Sequence, residues 1–196
     1  LFWSTYNPDQ SFSSLFATWI AYSFLADIFL SIIYWAKARS VAAVFISGAV
    51  YGWVDEGVLV QTMYADFPLG IVWTGLAWHA LITVLFGWYY LRKIISESGF
   101  LKIASVSFLI GLSFAFWSLF RWIEEGYITP LADFTLYISI ATILLVVAYR
   151  VAGSVTGEAL RPYRAEWLLL MSFLLLYFVF VTVRAAPVAL VALPLL

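Results

Sequence analysis

Two acidic doublets, each set between a tryptophan and a glycine, are the residues of this chain best suited to chemistry. They are Trp53-Val54-Asp55-Glu56-Gly57 and Trp122-Ile123-Glu124-Glu125-Gly126. Each is followed by a second shared segment, Ala65-Asp66-Phe67-Pro68-Leu69-Gly70-Ile71 in one case and Ala132-Asp133-Phe134-Thr135-Leu136-Tyr137-Ile138 in the other. The common pattern, WxxEG and then ADFxLxI, gathers six of the chain's 11 acidic residues into two corresponding places. A carboxylate in the last turn of a helix meets the negative end of the helix dipole, an unfavourable contact of about 0.3 to 1 kcal/mol. A doublet repeated twice therefore needs a reason beyond helix formation. The chemistry open to it is acid–base work by Glu56 or Glu125, or binding of a cation. Trp53 and Trp122 could steady a cationic ligand or intermediate by cation–π contact. Arg121 is the local counter-charge, three residues from Glu124 and four from Glu125 on one helical face.

Asp66 and Asp133 precede apolar runs, so N-capping accounts for both. Gly57 and Gly126 read as helix stops. A second candidate pair lies deeper. Counted at about 1.5 Å per residue, Asp27 is about 18 Å and His79 about 15 Å from the outer ends of their helices, near the middle of a hydrocarbon core about 30 Å thick. Ionisable groups at that depth are costly and usually functional, and the two could share a proton or orient a polar solute group.

The elements that must hold these residues follow from composition. The chain is 65% hydrophobic and 11% charged, with a mean hydropathy of +1.00, against about 25% charged residues in an ordinary soluble domain. It reads as an all-α integral membrane protein, a single polytopic domain over residues 1–196. Six apolar runs approach the roughly 20 residues that a spanning helix needs: Leu15 to Trp35, Val41 to Val60, Leu69 to Leu91, Ile103 to Ile123, Leu131 to Tyr149 and Trp167 to Val183. Residues 15–184 thus predict a six-helix transmembrane bundle. Residues 1–14 read as an outer interfacial segment, and residues 185–196 as an apolar tail too short to span. Continuous apolar runs argue against a β-barrel, whose strands alternate in polarity.

Eight of the 10 Lys and Arg residues fall on alternate connections, leaving Arg121 and Arg184 for the opposite side. The positive-inside rule then puts both termini on the extracytoplasmic side. Each copy of the repeat covers the outer end of one helix and the start of the next. The unit is a helical hairpin, helices 2–3 and then 4–5, and the two hairpins enter the membrane in parallel. Gly48xxxGly52 and Ser107xxxGly111xxxAla115 are small-residue stripes that predict close packing of the second and fourth helices. The sixth helix, rich in Leu and Phe, is expected at the lipid-facing periphery.

Several classes are excluded. There is no cysteine, hence no disulfide or thiolate metal site, and one histidine cannot form a polyhistidine site. No metal is expected on these grounds, and the cofactor is left open. No phosphate-binding glycine loop, GxSxG or HExxH occurs, and no basic stretch suits nucleic acid. The leading expectation is a carrier or channel-like protein that binds a cationic or protonatable small solute through Asp55, Glu56, Glu124 and Glu125, above a midplane site of Asp27 and His79. An alternative is an intramembrane enzyme, isomerase- or hydratase-like, with Glu56 or Glu125 as catalytic acid toward a lipid or isoprenoid. A third is a non-catalytic subunit. The partners implied are membrane lipids, the small solute or lipophile, and further copies or other chains of a larger complex.

Overall fold

A computed structural model describes residues 11–126, 128–154 and 161–196. Six helices are long and apolar enough to cross a membrane. They are α1 (Phe12–Trp35), α2 (Val41–Leu59), α3 (Ile71–Glu97), α4 (Phe100–Glu125), α5 (Leu131–Ser154) and α6 (Arg164–Ala185), followed by a short α7 (Ala189–Ala192). No strand occurs among the described residues. The six expected runs and the six helices coincide in order and nearly in extent. The interfacial segment expected for residues 1–14 lies outside the described residues up to residue 10, and from Phe12 onward it is already helix.

The chain gathers into two compact units. Among the described residues, one comprises residues 16–91 with 161–196, the other residues 11–15 with 92–126 and 128–154. The first unit holds the well-packed core. There α2 and α3 lie antiparallel in close contact, because two glycines of α2 remove the side chains that would keep them apart. A Cβ on Gly48 would stand 2.9 Å from both the Ala80 Cα and the Val84 Cβ, and one on Gly52 would stand 2.6 Å from the His79 Cβ. Beside this seam Leu25, Phe29, Val44, Tyr51 and Val84 form an apolar cluster. Phe29 meets Tyr51 and Trp88 edge-on, with ring centroids 5.7 and 5.2 Å apart.

Helix α2 begins at Ser40, whose side chain accepts from the Ala43 amide at 3.1 Å, as an N-cap should. Its last turn, Asp55–Leu59, widens to i→i+5 bonding, with the Val60 amide donating to the Asp55 carbonyl at 2.9 Å. Helix α3 is wound in the same wide manner from Ile71 to Leu91. Its buried residues are Gly75, the adjacent His79 and Ala80, and Val84.

In the other unit, α4 and α5 are joined through Gly126, whose φ of 66° ends α4 in the left-handed region that glycine tolerates. Phe134 stacks on Phe114 and meets Trp122 edge-on. The stripe Ser107, Gly111 and Ala115 is exposed, and a Cβ on Gly111 would meet nothing. The close packing expected of it is therefore not observed among the described residues.

Candidate functional site

The wide last turn of α2 sets the geometry of the first acidic doublet. Asp55 is fully buried, and Glu56 is nearly so, its side chain 14% exposed. Both face the same atom of α3. His79 Nε2 lies 2.7 Å from Glu56 Oε1 and 3.7 Å from Asp55 Oδ2. Gly52, one turn before the doublet, lets the imidazole come this close, since its missing Cβ would occupy the place of His79 Cβ. Tyr51 closes another side, its ring edge-on to the imidazole at 5.5 Å. Among the described residues neither Asp55 oxygen has a hydrogen-bond partner, and neither does His79 Nδ1.

The widened turn also frees backbone carbonyls, which must find donors elsewhere when buried. Side chains supply them. Thr182 donates its hydroxyl to the Val58 carbonyl at 2.7 Å, Tyr177 donates to Leu59 at 3.2 Å, and the Gln61 amide donates to both carbonyls at 2.9 and 3.0 Å. Gly57 is not a helix stop. The helix runs on to Leu59, and a left-handed Gln61 with φ of 62° follows. Gly57 is instead a packing glycine, its missing Cβ 2.9 Å from Leu193 and from Met63. Its carbonyl accepts from Tyr64 at 2.9 Å. Burial pushes that phenol up to about 12, so it remains a donor throughout the neutral range.

A cavity of about 540 Å³ opens beside Asp55. Its walls come from α1, α2 and α6, chiefly Tyr22, Leu25, Ile28, Leu170, Phe173 and Tyr177, and Asp55 is the only ionisable carboxyl group among its lining residues. Helix α6, expected at the periphery, is thus one wall of the site. Its leucines at 168, 169, 175 and 176 point outward, while Thr182 and Tyr177 bond to the turn that carries the acids.

The remaining candidates fall elsewhere. Asp27 is half-buried on α1 and is not among the groups that reach His79. The imidazole is held by the doublet instead, so the expected Asp27–His79 pair is replaced by a Glu56–His79–Asp55 cluster. Trp53 is tied down structurally, donating to the Ile71 carbonyl at 3.1 Å while its ring lies against Gly75. Trp122 behaves alike, donating to Thr129 at 3.3 Å.

At the second acidic doublet Arg121 donates to Glu124 at 2.8 Å, with Glu124 54% exposed. The side chain of Glu125 lies outside the described ones. Asp66 is exposed in a turn and accepts from the Gly70 amide through its backbone carbonyl. Asp133 is the third residue of α5 and not its cap.

No protein-family model, curated protein or solved structure matches this chain. What the site can do must therefore be read from its own geometry. It offers an acid that meets an apolar chamber, backed by a second acid already hydrogen-bonded to an imidazole. Such a set can pass a proton to and from a group held in the chamber.

Proposed function

We propose that the protein is an intramembrane enzyme that binds a lipophilic molecule between α1, α2 and α6 and shifts a proton on it at the Asp55–Glu56–His79 cluster. One observation carries this reading: a fully buried carboxyl group without a hydrogen-bond partner among the described residues forms the acidic point of a largely apolar cavity. A chamber of this size and lining suits a molecule of isoprenoid or sterol bulk. A strongly hydrated solute would lose its water shell there without replacement.

The simplest balanced reaction is a double-bond shift. Asp55 delivers a proton to one alkene carbon, and a proton leaves the allylic carbon for the cluster. The double bond moves by one position, and no atom is gained or lost. His79, between the two acids, returns the cluster to its starting state through Glu56.

The test can be run before the substrate is identified. Purified protein incubated with a membrane lipid extract in deuterium oxide is expected to introduce deuterium at carbon into a discrete lipophilic species, detected by mass spectrometry. Glu56→Gln and His79→Gln are each expected to slow this by about 100-fold or more. Incorporation by wild type no faster than by Glu56→Gln would sink the proposal.

The same unpartnered carboxylate favours a second reading, a carrier for a lipophilic amine, whose ammonium group would meet Asp55 and whose body would fill the cavity. Flux of such an amine in proteoliposomes, abolished by Asp55→Asn and unaccompanied by deuterium incorporation, would replace the first reading with this one.

A further inference from the structure

We infer that Asp55, Glu56 and His79 form a site for a divalent transition-metal ion. This rests on the cluster just assigned to the proposed reaction and deepens it by naming what carries the proton.

One ligand atom from each residue, His79 Nε2 and a carboxylate oxygen of Asp55 and of Glu56, can be chosen so that all lie within 4.8 Å of one another. Bonds of about 2.0 to 2.2 Å to nitrogen and oxygen place the ligands of one ion roughly 3 to 3.6 Å apart. The imidazole nitrogen already stands 2.7 and 3.7 Å from the two carboxylates, so small side-chain rotations complete the set.

Asp55 is fully buried, stands beside the imidazole, and both its oxygens lack a donor. Such a group is costly unless something compensates it. Among the described residues no lysine or arginine comes within ion-pair distance of Asp55 or Glu56, and His79 is the basic side chain that does. Two carboxylates against one imidazole leave an excess of negative charge, which a divalent cation cancels.

The donor set narrows the ion. Two carboxylates and one imidazole suit zinc, manganese or ferrous iron, and the missing thiolates argue against softer ions. Three protein ligands leave further positions open for water or for a substrate oxygen, the arrangement of catalytic and not structural sites. Asp55 belongs both to this set and to the cavity wall, so bound water would sit at the chamber's edge and carry the proton in place of a carboxyl group. The other imidazole nitrogen has no partner. Tight sites fix that nitrogen with an outer hydrogen bond, whose loss typically weakens binding about 10- to 100-fold. The ion is therefore exchangeable and removable by a chelator.

Equilibrium dialysis of the full chain in detergent, first stripped with chelator and then exposed to zinc or manganese alone, tests this directly. A single ion per chain is expected, with affinity lowered about tenfold or more by Asp55→Asn and again by His79→Gln. Glu124→Gln, at the exposed position of the other doublet, should leave it unchanged. Because the substituted chains could fail to fold, each is compared at equal thermal unfolding temperature and equal elution volume. His79→Cys then supplies a thiolate in place of the imidazole and should restore zinc over manganese. Absence of saturable uptake by folded wild type, or uptake equal in all variants, overturns the inference. Deuterium incorporation that persists after stripping sinks the metal and leaves the proton-transfer reading standing. Saturable uptake without any action on lipophiles does the reverse.

Discussion

Asp55 is the residue at which stability and function pull apart. Its carboxyl group has no exposed surface and no hydrogen-bond partner among the described residues, only a 3.7 Å contact with the His79 imidazole, so its desolvation opposes folding. Asp55→Leu should therefore raise the thermal stability of chelator-treated protein by about 1 kcal/mol or more while abolishing lipophile turnover. Lower stability of Asp55→Leu would mean that the carboxylate has a structural partner. The sequence showed that the doublet was out of place at a helix end, but not which acid would be buried. It also showed His79 as the sole histidine and a membrane-depth group, yet paired it with Asp27. Counting depth along two separate helices places residues vertically and says nothing of which helices touch. The contact between α2 and α3, made through Gly48 and Gly52, selected Glu56 and Asp55 instead.

At the scale of elements, the glycine stripes behave differently despite similar spacing. Gly52 lies under His79 and Gly75, whereas Gly111 faces open space. Gly52→Ala should destabilise the protein by about 1 to 3 kcal/mol, since backbone of α3 must retreat. Gly111→Ala should be neutral or slightly stabilising, because alanine is the better helix former by up to about 1 kcal/mol. Differential scanning fluorimetry of the two variants, side by side, decides this; equal losses would contradict the packing described. The spacing GxxxG signals a helix that another helix can approach closely, and α2 fulfils it, but the partner is not written in the stripe. The wide winding of α3 was invisible for a related reason. An apolar run has little contrast between faces, so a period of four to five and one of 3.6 look alike until a partner helix marks the buried positions. Thr182 shows the same limit. Its hydroxyl satisfies the Val58 carbonyl from 124 residues away, a bond that no local pattern announces. Thr182→Val should cost about 0.5 to 1.5 kcal/mol by removing one of the two donors to that carbonyl, the Gln61 amide remaining.

For the whole molecule, the two doublets no longer read as equivalent. Asp55 is buried on an imidazole, while Glu124 pairs with Arg121 at the surface. Helix α2 winds on past its glycine, and α4 stops at its own. What the shared pattern does keep is the tie from each tryptophan to the segment that follows, to Ile71 in one case and Thr129 in the other.

The cavity, by contrast, joins α1 and α2 to α6, more than 100 residues further along the chain, so only the folded chain reveals it. That arrangement makes access to the chamber a property of membrane orientation. The charge on the connections predicts the Ser40 end of α2 at the cytoplasmic face and the Gln61 end outside. Since the chain has no cysteine, single substitutions report this without background. In intact cells a membrane-impermeant maleimide should label Gln61→Cys and spare Ser40→Cys, with the latter reacting only after permeabilisation. The reverse pattern would turn the molecule over and move the Asp55 cluster to the cytoplasmic leaflet. A lipophile would then enter from the leaflet in which it is made, and the chamber's chemistry would be unchanged while its supply was not.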